Sequence, residues 1–247
     1  MRHFVFLSCS FLVIVLTLPT NSTLAAKANP APVVGDAAGK FLPEGRSAQS
    51  RALYLTLIDD MRKSGRTHAA LAHLDAFEQL YPHGTDAAVM RGNCFVDIGA
   101  FEQAAIIYRK LLKTKAAASA YAGLGRIEGL NDRWTAAAGE FSQAVSRMPT
   151  DPDYLNDYGY ALLRQGRLEE ALFRIRQAAE LAPANVRVRN NLILVLSATG
   201  DTAGSKSLLD SIADTTERAD IQAALKAQSA KLVLQAPDVV RTPVVDR

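Results

Sequence analysis

Cysteine is nearly absent from this 247-residue chain: Cys9 and Cys94 are the only two, with no CxxC pair and no Cys/His framework to hold a metal. Tryptophan occurs once, as Trp134, beside seven Tyr and nine Phe. Aromatic and β-branched residues therefore cannot dominate, which argues against an all-β domain. The balance of 28 basic and 25 acidic residues leaves a net charge of only +3, with no long basic run. Electrostatic binding to nucleic acid is not expected. Histidine is also sparse, with four in all: beyond His3, His68, His73 and His83 are separated by five and ten residues, a spacing that does not bring two rings to one helix face. Neither a P-loop nor a G-x-S-x-G elbow is present. Gly123-Leu-Gly125-Arg-Ile-Glu-Gly129 has its third glycine one place late for a dinucleotide loop, and no strand precedes it. Glu169-Glu170 and Asp59-Asp60 are adjacent pairs that diverge on a helix. The residues thus contain no catalytic constellation, and no cofactor or metal is expected.

Alanine and leucine are what the chain does have, at 71 of 247 positions, and both favour helix. Only four of the ten prolines lie between residues 44 and 236: Pro82, Pro149, Pro152 and Pro183. Pro149 and Pro183 are 34 residues apart, and Pro82 and Pro149 are 67 apart, so a repeat is expected. Gly65, Gly99, Gly166 and Gly200 recur at the same phase, with Asp132 in the remaining slot. The units are 51–84, 85–117, 118–151, 152–185 and 186–219. In 152–185, Leu155, Tyr158, Gly159 and Leu162 share one helix face, followed by Gly166 at a turn. Ala171, Ile175 and Ala178 lie on a second helix that Pro183 stops. Small residues such as Gly92, Gly125, Gly159, Ala104, Ala137 and Ala171 are expected where two helices cross, and Gly159→Leu to overpack that crossing. Cys94 falls on the first helix of the second unit as a buried thiol.

The termini read differently. Arg2 and His3, the apolar run Phe4–Leu18, Pro19 and the small residues Thr23–Ala28 have the order of a secretory signal peptide over 1–26. Cleavage is expected after Ala25, Ala26 or Ala28. Leu7-Ser8-Cys9 resembles a lipobox, but most of the apolar run follows the cysteine, so lipidation is not the reading favoured. Residues 27–50, with three prolines and three glycines, read as a flexible linker, 217–235 as a capping helix and 236–247 as a disordered tail.

The phased pattern of residues 51–217 resembles the tetratricopeptide (TPR) repeat. The resemblance implies an all-α, right-handed α-solenoid of about five helix-turn-helix repeats with a C-terminal capping helix. It also implies a non-catalytic scaffold that holds a peptide or protein segment on the concave face lined by the first helix of each unit. In that family the second, fifth, ninth, twelfth and thirteenth positions of a unit face the groove. Here they include Arg126, Asn156, Tyr160, Arg164, Arg187 and Asn190, the candidate peptide-binding set. The carboxylate clamp of the chaperone-binding subfamily is excluded, because its slots hold Leu55 and Asp59, Met90, and Ser119 and Gly123. The segment Asn185-Val-Arg-Val-Arg-Asn-Asn-Leu-Ile-Leu, together with the leader, linker and cap, resembles the tight-adherence (Flp) pilus assembly family known as TadD. This implies a periplasmic protein, peripherally associated with the outer membrane, whose partners are secretin or pilus assembly components. The second reading is a general periplasmic adaptor for cell-wall or outer-membrane biogenesis enzymes.

Overall fold

The computed structural model describes residues 48–82 and 84–235, with side chains through 227. The expected signal peptide, residues 27–47 of the expected linker, His83 and the expected tail over 236–247 lie outside the described residues.

Among the described residues the chain is a succession of helices and carries no strand. Ten of them form five hairpins: α1 (Ala48–Lys63) with α2 (Thr67–Leu80), α3 (Thr85–Asp97) with α4 (Phe101–Leu111), α5 (Ala117–Leu130) with α6 (Trp134–Arg147), α7 (Pro152–Arg164) with α8 (Leu168–Leu181), and α9 (Val186–Ala198) with α10 (Thr202–Asp210). The last helix, α11 (Thr215–Gln235), has no hairpin mate among the described residues. Two boundaries differ from the sequence reading. Helix α1 starts at Ala48, so the last three residues assigned to the linker are helical. Helix α11 starts two residues before the expected cap, because the Asp214 carboxylate accepts from the Thr216 and Glu217 amides and fixes its N-terminus.

Each hairpin turns on the residue the repeat phase singled out. Gly65, Gly99, Gly166 and Gly200 all have φ between +76° and +88°, and Asp132 takes the same left-handed geometry at +56°. In the first four units the amide of that residue donates three residues back, and the next amide donates five back. Gly166 to Leu163 and Arg167 to Leu162 are the pair in unit four. The last carbonyls of each first helix are thereby satisfied. Helices α2, α6 and α8 end alike, two residues before Pro82, Pro149 and Pro183. Helix α4 lacks the proline. Thr114 stops it instead, its hydroxyl donating to the Leu111 carbonyl at 2.7 Å and accepting from the Ala116 amide.

Packing follows the phase as well. A Cβ on Gly159 would stand 2.5 Å from Ile175 Cγ1 and 3.2 Å from the Ala171 carbonyl, so α7 and α8 cross almost backbone to backbone there. A Cβ on Gly125 would meet the Phe141 ring at 2.8 Å. The Tyr108 ring lies between Gly92 of α3 and Gly123 of α5, with its hydroxyl donating to Asn93 Oδ1 at 2.8 Å. In the fifth unit Ile193 stands at the position Gly159 holds in the fourth. Opposite it, Ser205 replaces the usual alanine, and its buried hydroxyl donates to the Ile193 carbonyl at 3.0 Å.

Every helix touches the next, and each first helix also touches the following first helix: α1 with α3, α3 with α5, α5 with α7, α7 with α9 and α9 with α11. No second helix comes within backbone contact of the next second helix among the described residues. First helices are therefore the closely spaced inner layer of the stack, and second helices the more widely spaced outer one. The result is a solenoid of helical hairpins whose inner layer is built from the first helices.

Candidate functional site

Polar residues on the first-helix layer form a ladder from one unit to the next. Arg62 of α1 pairs with Asp59 at 2.9 Å on its own helix and with Asp97 of α3 at 2.7 Å. Asp97 in turn accepts from Arg126 of α5 at 3.4 Å, and Arg126 also donates to Asn93 at 3.3 Å. Between α5 and α7 the Ser119 and Tyr154 hydroxyls lie 2.9 Å apart. Arg187 of α9 reaches back to Asp153 at 2.8 Å and to Asp157 on α7. Arg189 and Asn190 of α9 both donate to Glu217 of α11, at 2.6 and 3.3 Å.

Three expected groove residues, Arg126, Arg187 and Asn190, are thus rungs that tie neighbouring units together. Asn156 requires a correction. It has no exposed surface, because α7 and α9 stack over it and its Oδ1 accepts from Asn191 Nδ2 at 2.9 Å. Its own Nδ2 finds no partner among the described residues. Asn156 sets the approach of two helices and presents nothing to a ligand.

Arg164 also reaches back one unit, to Asp132, but it and Tyr160 gather around a residue that the sequence reading passed over. Trp134, the first residue of α6, folds back over Gly129, whose missing side chain leaves it room: a Cβ there would be 3.0 Å from the indole. The Arg164 guanidinium lies 4.1 Å from the Trp134 ring centroid, and Tyr160 meets the same indole edge-on at 5.6 Å. The Trp134 Nε1 donates to Asp132 at 3.1 Å and Arg164 donates to it at 3.2 Å, although the Asp132 side chain is 81% exposed. Leu130, at the position in unit three that Arg164 holds in unit four, is 60% exposed. The usable signal in the sequence was the single Trp placed directly after a hairpin turn, with a glycine one turn before it.

Two aromatic rings set edge to face, an arginine stacked on the indole and an exposed leucine can grip an extended segment. The rings offer apolar area at low entropic cost, and the stacked guanidinium, which already donates to Asp132 and to the Tyr160 hydroxyl, has further N–H groups along its edge. Nothing in the site resembles a nucleophile. Burial pushes the Cys94 thiol up to about 11, so it is protonated and inert at neutral pH. No cluster of three potential metal ligands occurs among the described residues.

Two ladder carboxylates titrate in opposite senses. Burial pushes Asp59 up, but hydrogen bonds from Lys63 and Arg62 and their charges outweigh it, and its carboxyl sits below the ordinary value. Burial pushes Asp157 above the ordinary range despite the charges of Arg187 and Arg126. Stability from Asp59 is therefore present above its unfolded pKa and lost as pH falls through its folded one. Stability from Asp157 is full below its unfolded pKa and lost as pH rises through its folded one. The deficit of Asp59→Asn is expected to shrink below about pH 4, whereas wild type gains on Asp157→Asn as pH falls toward about 4. Urea unfolding across that range checks both, and parallel pH profiles would contradict the assignment.

These features define a helical-hairpin scaffold whose first helices form its inner layer. The chain belongs to the tetratricopeptide repeat family. A tetratricopeptide-repeat family model matches residues 55–122 and 123–186, and a second matches 162–228. The chain is 32% identical to the TPR repeat-containing protein PA4299 of Pseudomonas aeruginosa over 71% of its own length and 69% of that protein's. Its fold is similar to that of TTC0263, a thermophilic TPR protein of Thermus thermophilus, with a TM-score of 0.58 and 15% identity over 73% of this chain and 99% of that one. It also resembles a chain of the APC/C hetero-tetramer Cut9–Hcn1, with a TM-score of 0.60 and 14% identity over 74% of this chain and 37% of the other. Proteins of the family bind protein or peptide partners and are generally non-catalytic.

Proposed function

We propose that this chain is an exported, non-catalytic assembly factor of the bacterial envelope, and that it holds a segment of a secretin or pilus component against its first-helix layer. The observation that carries the reading is the Trp134–Tyr160–Arg164 cluster. There aromatic rings join the ladder: Arg164, paired with Asp132 of the preceding unit, also lies over the Trp134 ring beside Tyr160. The leader over 1–26 supports an envelope setting, and the Asn185–Leu194 segment supports the tight-adherence system in particular.

The test is complementation of a strain lacking the chain. Wild type is expected to restore secretin multimers and surface pili, and the Trp134→Ala, Tyr160→Ala, Arg164→Ala triple to leave both missing at equal protein level. Export is read in the same strain, as a periplasmic chain whose N-terminus follows Ala25, Ala26 or Ala28. Normal pili in the null strain would sink the pilus role. An intact Met1 would sink export by a cleaved leader, and an acylated Cys9 would replace it with a lipid anchor.

A further inference from the structure

The repeat phase assigns a partner-seeking role to the outer face of α1. Leu53 and Leu57 occupy the third and seventh positions of unit one. In later units those positions hold Ala87 and Arg91, Ala120 and Leu124, Tyr154 and Tyr158, and Val188 and Leu192. There they meet the second helix of the preceding unit. Arg91 pairs with Asp75 and Glu78 of α2, Ala120 and Leu124 pack in the cluster of Tyr108, Tyr154 and Tyr158 in that of Val145, and Leu192 in that of Ile175. In unit one the same stacking face is open, with Leu53 65% and Leu57 40% exposed. Among the described residues they are the exposed large apolar pair one turn apart on a single helix. The other end of the stack is closed: α11 seats Ile221 inward and shows Ala219, Gln222, Ala223 and Lys226 outward.

We infer that two copies of this chain associate through their α1 helices, packed antiparallel about a twofold axis with Leu53 of one copy against Leu57 of the other. The contact buries against a second copy the face that later units bury against the preceding second helix. Charge fits the same geometry. The register that opposes Leu53 and Leu57 also sets Asp60, exposed and in no ion pair among the described residues, opposite the first turn of the facing α1. That turn contains no acidic residue. A head-to-tail filament is disfavoured because the described outer face of α11 offers no large apolar side chain to seat on Leu53 and Leu57.

Sedimentation velocity of the purified chain over a concentration series tests the inference. Wild type is expected to show a reversible monomer–dimer equilibrium. Leu53→Glu/Leu57→Glu and Leu53→Lys/Leu57→Lys are each expected to keep wild-type helical circular dichroism while raising the midpoint of that equilibrium by about 100-fold or more. An equimolar mixture of the two is expected to dimerise again, because each Glu then meets a Lys. A wild type monomeric throughout overturns the inference. So does a dimer untouched by the charged pairs, a mixture that stays monomeric, or an α1 face that hydrogen exchange shows covered in the monomer by the chain's own preceding residues.

Discussion

Gly123→Ala is expected to destabilise the chain by about 2–3 kcal/mol, the upper range for one added methyl in a packed crossing. The new Cβ would stand 2.3 Å from Cζ of Tyr108 and 2.5–2.6 Å from two further ring atoms. The ring cannot move away, since a Cβ on Gly92 across from it would already be 2.6 Å from the same side chain. Its hydroxyl is held by Asn93, and burial raises its pKa, so it stays neutral and hydrogen-bonded. Three helices, α3, α4 and α5, must therefore separate together. Chemical denaturation reads the loss. Gly123→Ala/Tyr108→Leu is expected to recover a large part of it, because the smaller side chain vacates the site. A single variant as stable as wild type, or a double variant no better than the single, would show that the ring is not wedged between glycines.

The second large effect concerns binding. Trp134→Ala and Arg164→Ala are each expected to lower recovery of the co-purifying protein partner about tenfold or more, in line with truncation of an aromatic or arginine anchor. Arg164→Lys is expected to do nearly as much harm, because an ammonium neither stacks on the indole nor offers a planar edge. Phe173→Ala, on the outer layer and 57% exposed, is the control that leaves recovery unchanged. Quantitative mass spectrometry of tagged-chain eluates gives the comparison. Equal losses at Phe173 and Trp134 would indicate a non-specific effect.

The fold was legible because its determinants are local. A left-handed residue every 33 or 34 positions, glycine where helices cross and a proline after the second helix are each visible one residue at a time, and Asp132 was identified by phase alone. The site was less legible because exposure on the inner layer depends on which neighbour a side chain finds one repeat away. Arg126 and Asn156 occupy groove positions by count, yet the first is paired to Asp97 and the second is sealed against Asn191. Conversely, Trp134 belongs to a second helix and reaches the first-helix layer only because Gly129 clears its path.

The central claim is that a protein segment is held on the inner layer of units three to five. Site-specific photo-crosslinking in the source cells tests it most directly, with a photoreactive residue at Tyr160 in one strain and at Phe173 in another. The account predicts a discrete crosslinked partner at position 160 that is absent at 173 and lost with Arg164→Ala. Crosslinks of equal yield at both positions, or only at 173, would contradict it.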